Sequence, residues 1–414
     1  MDGKKLYDLN YLNDNEASAQ SGVLMAYWHP PFKKDASSLW KLIGHAIGLC
    51  QDLLPRSCQS QSPDVSSKSS CPSIWYRIWW GCVMFDAWGC VTIGRRLRVN
   101  QSHSKIPMPS SAEILQELKQ LPLPIQHRYL SSHIDRLSNY YTHNLRLGEV
   151  IEKFLNKVNM ADDNIPTINE INSWEDDLKH AEGLTRQMVL EDTHSSDKWV
   201  KLAAYHYQVC SGGALICILR PHLFGAPRGL AKSDMQSWQS ETLRKITAAS
   251  AQVTSTLEAL INLQMLQYRR HWILAPLVAV THCHLIQMVS KQRLERDLAR
   301  NKVETCILVL KELEKTNWMV EVNFTVMRSA LDHVLAIEKK SSRPKELLFN
   351  GSAENDAQQQ SIEAENFVSD AYFGDLPASF PTHLDEFISN GFLGTLPLND
   401  CDFLWHEPIS PTCT

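Results

Sequence analysis

Apolar residues recur along this chain at intervals of three and four almost throughout, the spacing of one buried helical face. Leu130, Ile134, Leu137, Tyr141, Leu145, Ile151 and Leu155 trace one stripe, and Trp174, Leu178, Ala181 and Met188 a second. Ile246, Val253, Leu257, Leu260 and Ile261 give a third; Val303, Cys306, Ile307, Leu310 and Leu313 a fourth. Ser110 with Glu113 has the form of a capping box, in which side chain and backbone satisfy each other at a helix start. Arg220-Pro221 closes the apolar stretch GGALICIL, because proline cannot continue the hydrogen-bond ladder. No run alternates as a half-buried strand would. The pattern predicts an all-α, multi-helical fold.

Two stretches break the helical spacing. Residues 55–72, PRSCQSQSPDVSSKSSCP, read as an exposed loop, and residues 339–365 as a flexible linker poor in apolar residues. The expected organisation is an N-terminal segment over 1–19, a helical body over 20–338 containing the 55–72 loop, the 339–365 linker and a C-terminal region over 366–414. No internal repeat is visible.

One helix is unusual. In YRIWWGCVMFDAWGCVTIGRRLRV, residues 76–99, a face formed by Trp75, Ile78, Trp79, Cys82, Val83, Asp86 and Cys90 adjoins another formed by Trp80, Met84 and Trp88. A helix apolar on so many sides belongs inside the protein. Asp86 would there be a bare charge at high cost, so it needs a donor. Arg77, nine positions back, is out of phase with it; Arg95 or Arg96, folding back after a Gly94 stop, is in reach. The expectation is that Asp86 anchors the Gly-Arg turn, or a neighbouring helix, through a charge-assisted bond. No second acid or histidine shares its face at helical spacing, which argues against a catalytic acid.

Composition adds little beyond asymmetry. The chain has 414 residues, 43% hydrophobic and 21% charged, and a formal net charge of −5. After Lys345 there is no lysine or arginine, yet twelve acids follow; with −12 in that tail against −5 overall, residues 1–345 carry +7. Eleven cysteines form no C-x-x-C pair, and several fall on apolar faces, as reduced structural thiols do. The N-terminus lacks the apolar core of a signal peptide, and the longest clean apolar run, WILAPLVAV at 272–280, is too short to span a bilayer. The expectation is a soluble chain without a membrane role.

Arg77-x-Trp79-Trp80, then Asp86, then Gly94-Arg95, resembles the signature of the fungal-specific transcription factor domain. This is the middle homology region of fungal zinc binuclear cluster regulators, in the style of the cutinase-transcription-factor-like branch. VLMAYW (23–28), SLWKLIGHAIGLCQDL (38–53) and YHYQVCSGGALICILRPHLF (205–224) extend the resemblance. Two positions depart from the pattern: Ala87 stands where the family has an arginine, and Arg96 where it has a proline. The resemblance implies a nuclear regulator of transcription, pathway-specific and of the kind that controls metabolic gene clusters, able to form homo- or heterodimers. Relatives bind DNA through an N-terminal Zn₂Cys₆ module whose cysteine spacing is missing here, so no zinc or other cofactor is expected in this chain. Either the sequence is a fragment, or it reaches DNA through a partner.

The C-terminal region sets aromatic and leucine residues among acids, the composition of an activation region that meets a coactivator or the general transcription machinery. Leu384, Phe387, Ile388 and Phe392 fall near i, i+3, i+4 and i+8, consistent with a helix formed on binding, and Phe403 and Trp405 are further contacts.

Other chemistry is weaker. His282-Cys283-His284 point about 100° apart on a helix, so packing explains them better than metal binding. Glu175-Asp176-Asp177 is similar to the magnesium-binding acids of all-α isoprenoid-type enzymes, but no partner motif follows, and solvated helix-start acids are the expected reading. Ser211-Gly212-Gly213 suggests close packing or a helix break rather than a phosphate loop. The favoured reading is a non-enzymatic regulator. The alternatives are an adaptor that pairs with a zinc-cluster factor without touching DNA and, less favoured, a helical enzyme.

Overall fold

Helices form wherever the apolar stripes run at helical spacing. The computed structural model describes residues 14–26, 36–54, 73–93, 96–100, 106–159, 165–223, 226–268, 273–290, 292–314 and 318–341. Among these are twelve α-helices and no strand. They are α1 (Asn15–Ala26), α2 (Ala36–Leu53), α3 (Ser73–Ile93), α4 (Ser111–Leu118), α5 (Leu123–Tyr129), α6 (Ile134–Asn159), α7 (Ile168–Thr193), α8 (Lys198–Leu219), α9 (Met235–Asn262), α10 (Leu274–Gln287), α11 (Arg293–Glu314) and α12 (Trp318–Ser341).

The all-α expectation is correct. α1 begins inside the stretch expected to be an N-terminal segment, and α12 runs to Ser341, three residues into the expected linker. The loop at 55–72 and the C-terminal region, with Leu384, Phe387, Ile388, Phe392, Phe403 and Trp405, lie outside the described residues.

The hub is α8, against which α6, α7, α9 and α10 all pack. It begins where Asp197 caps it, accepting the Trp199 and Val200 amides at 2.9 Å each, and it ends before the Arg220–Leu223 3₁₀ turn that Pro221 enforces. By length and composition it qualifies as a membrane span over Lys198–Leu223, but most of that stretch is buried inside the protein. Its apolar side chains are instead covered by protein: Leu202, Tyr207, Val209, Ile216 and Ile218 are all buried. On one side, α6 carries α3, which in turn holds α1 and α2; on the other, α10 carries α11 and α12. One continuous core connects these groups.

Local chemistry fixes the helix ends. Ser110 and Glu113 form the expected capping box, and Thr167 with Glu170 forms a second at the start of α7. α9 ends in a Schellman arrangement. Gln264 takes φ 55°, the Met265 amide donates to the Leu260 carbonyl at 2.9 Å, and the Gln264 amide donates to Ile261 at 2.9 Å. Ser211-Gly212-Gly213 lies mid-helix and causes no break. A Cβ on Gly213 would sit 2.5 Å from the Pro276 Cβ and 2.9 Å from its Cα, so glycine is what lets α8 and α10 approach.

Two substitutions should therefore move stability in opposite directions. Gly213→Ala forces α8 and α10 apart and should cost about 1–3 kcal/mol in chemical denaturation, despite alanine's better helix propensity. Gln264→Gly removes the left-handed strain and should raise stability by about 1 kcal/mol.

Candidate functional site

The tryptophan helix α3 is buried around most of its circumference, by α1, α2, α4, α6 and α10. Trp79, Trp80 and Trp88 are each 2% exposed, and Asp86 is fully enclosed. One carboxylate oxygen of Asp86, Oδ2, accepts the backbone amides of Arg98 at 2.7 Å and Val99 at 3.0 Å. The donors among the described residues are thus main-chain groups beyond the turn. Arg96 is exposed, and Gly94 and Arg95 lie outside the described residues. Ala87, in the position where the family pattern has arginine, is fully buried and supplies no donor.

Arg98 contributes through position and charge. Its guanidinium lies over the Trp40 ring, 3.9 Å from the centroid, and donates to the Trp40 carbonyl on α2. Gly44 makes room, since a Cβ there would meet Arg98 Nη1 at 2.5 Å. Two further bonds tie α3 to the chain beyond it. The Trp80 indole N–H donates to the Pro107 carbonyl at 2.9 Å, and Arg77 pairs with Glu117 on α4. The Tyr141 hydroxyl of α6 reaches the Arg77 carbonyl at 3.4 Å. Arg77, Trp80 and Asp86 therefore act as three fasteners at successive levels of one helix, each holding a different part of residues 96–118.

The electrostatics suit a tie rather than a reaction. Burial pushes the Asp86 carboxyl up to about 6, against the pull of the Val99 and Arg98 amides and the Arg98 charge. Its second oxygen is buried without a hydrogen bond. Cys82, one turn earlier, lies against Cys50 of α2; that thiol contact, burial and Asp86 raise the Cys82 thiol well above its ordinary value. A thiol held protonated in this way is a poor nucleophile. The seven described cysteines are all buried thiols outside any disulfide.

The other motifs disperse. On α10, His282 contacts Arg220 at 3.4 Å while His284 meets the Thr254 hydroxyl at 2.8 Å, and burial lowers both imidazoles' affinity for protons. Among the described residues no three histidine, cysteine or acidic side chains are grouped to hold a metal ion. The acid cluster corrects an expectation. Glu175 is a buried mid-helix residue of α7, not a solvated one, and takes the Lys245 ammonium of α9 at 2.8 and 3.0 Å. Asp176 and Asp177 are exposed on the same helix. The signal was available: Glu175 falls four residues after Ile171 and three before Leu178, inside the apolar stripe. Glu117, Trp40 and the 98–99 amides carried no such signal, because their distance in sequence hides the contact.

Comparison with known proteins places this arrangement. Residues 2–163, which include α1 to α6, match the family model described as Fungal specific transcription factor domain. This stretch of the chain is similar to that domain, as the Arg77, Trp79-Trp80 and Asp86 pattern implied. Cutinase transcription factor 1 beta of Fusarium vanettenii is 32% identical over 106 residues, 25% of this chain and 11% of that protein. The chain thus matches only a small part of that relative's length. No solved structure matches.

Replacing Asp86 should separate its two contributions. Asp86→Ala strands two amides and should cost about 2–4 kcal/mol in chemical denaturation, whereas Asp86→Asn keeps an accepting oxygen and should cost less. The folded carboxyl, at about 6, holds its proton more tightly than the ordinary 3.8. Its contribution to stability is therefore complete below about 3.8 and is lost as pH rises to about 6, by on the order of 2–3 kcal/mol. Asp86→Asn lacks this titration, so the wild-type advantage over it should narrow between pH 4 and pH 7.

Proposed function

We propose that this chain is a non-enzymatic regulator of transcription, acting in the nucleus as a pathway-specific activator. The observation that carries the reading is the match of residues 2–163 to the fungal-specific domain, joined to a signature helix whose polar residues are spent on internal ties. A closed helical body of this kind presents a regulatory surface, and the chain after Lys345 supplies what the body lacks. Its twelve acids keep Phe387, Phe392, Phe403 and Trp405 soluble and available to a shallow groove on a coactivator. Control of a metabolic gene cluster and homo- or heterodimerisation belong to the same proposal.

The enzyme reading loses its strongest support with Glu175, whose carboxylate is committed to Lys245 rather than to a metal. An adaptor that works through a DNA-binding partner is the second reading.

A tethered reporter tests activation. Residues 346–414 fused to a neutral DNA-binding module should activate a reporter several-fold, and Phe387→Ala with Trp405→Ala should abolish most of it. Activation that is absent, or indifferent to those changes, contradicts the proposal. A mobility shift at controlled salt separates the two regulatory readings, since an adaptor binds DNA only when its partner is added.

A further inference from the structure

Remote from α3, a cleft of about 570 Å³ opens between the α5–α6 junction and the start of α8. Arg128, Tyr129, Ser131, Trp199, His206 and Tyr268 are among the residues that line it. Its size is that of a small-molecule site, roughly 300–1,000 Å³. Residues from both sides of the family-matched boundary form it: 128–137 lie inside the match and 197–268 outside.

Its chemistry is of two kinds. Three aromatic rings stand unusually open, Tyr129 at 67%, Trp199 at 42% and Tyr268 at 41% exposed. Trp199 and Tyr268 meet edge to face with centroids 5.1 Å apart. The pair is built rather than accidental, because the Schellman stop of α9 and the Leu266–Tyr268 turn after it deliver Tyr268 to this point. Two cations accompany the rings: Lys198 Nζ lies 4.6 Å from the Trp199 centroid and 4.8 Å from that of Tyr268, and Arg128 lies 5.3 Å from the Tyr129 centroid. Neither cation forms an ion pair among the described residues. The nearest acid in the lining, Asp197, spends its carboxylate on the amides that open α8. Exposed rings beside uncompensated cations favour a ligand that is both flat and negative.

We propose that this cleft binds a small aromatic carboxylate. Its ring lies against Trp199, Tyr268 and Tyr129, and its carboxylate takes the planar donor fork of Arg128, with the Ser131 hydroxyl as a further donor. The proposal is independent of the transcriptional reading, because it concerns binding by the folded chain alone.

Calorimetric titration of the full 414-residue chain with salicylate and with indoleacetate tests it, with cyclohexanecarboxylate and benzamide as controls. The aromatic acids should bind saturably and at least about tenfold more tightly than either control. Arg128→Gln and Trp199→Ala should each weaken that binding by about tenfold, and Arg128→Gln should leave the thermal midpoint unchanged because Arg128 is exposed. No saturation by about 10 mM, equal binding of either control, or binding indifferent to both substitutions overturns the proposal. So does tighter binding, at the same residues, of a peptide spanning 381–407, which would make the chain's own acidic region the occupant.

Discussion

The fully buried carboxylate of Asp86, facing the amides of Arg98 and Val99, is the contact on which the N-terminal half of this fold turns. A chain leaving the end of so apolar a helix has no strand or helix to satisfy its next amides, and buried amides must be satisfied. Asp86 does this from inside the preceding helix, which ties residues 96–100 back along α3 before the path continues to Pro107 and α4. A carboxylate is costly in such surroundings, and the rise to about 6 measures that cost. The same enclosure makes it a poor catalyst, since neither substrate nor water reaches it.

Much of this arrangement was legible in the sequence. All-round apolarity placed α3 in the interior, and a single acid within it required a donor. The identity of the donors, the Arg98 and Val99 amides, was not legible, because helical periodicity gives the direction of a residue within its own helix but not the route of the chain after it. Glu175 shows the opposite error. Its position between Ile171 and Leu178 marked it as buried, but the acids beside it drew attention to solvent and metal. The membrane-like composition of α8 illustrates a third limit, for a helix largely covered by protein and one covered by lipid share the same apolar content. The aromatic cleft was invisible, since residues near 130, 200 and 268 converge only through the packing of α8 against its neighbours.

The organisation bears on function through what it leaves unused. The signature residues hold helices together, the seven described thiols are buried, burial lowers the proton affinity of His282 and His284, and the Glu175–Lys245 ion pair engages an acid that a metal site would have wanted. Chemistry open to solvent is confined to surfaces. Residues 2–163 of this body match the model of the fungal specific transcription factor domain.

Native-state hydrogen exchange over residues 96–100 addresses the central claim most directly. If Asp86 holds this segment, the Arg98 and Val99 amides exchange slowly in the wild-type chain and rapidly in Asp86→Ala, while the amides of α8 keep their protection in both. Rapid exchange at Arg98 and Val99 in the wild type, or protection there that survives the loss of the carboxylate, would contradict the account.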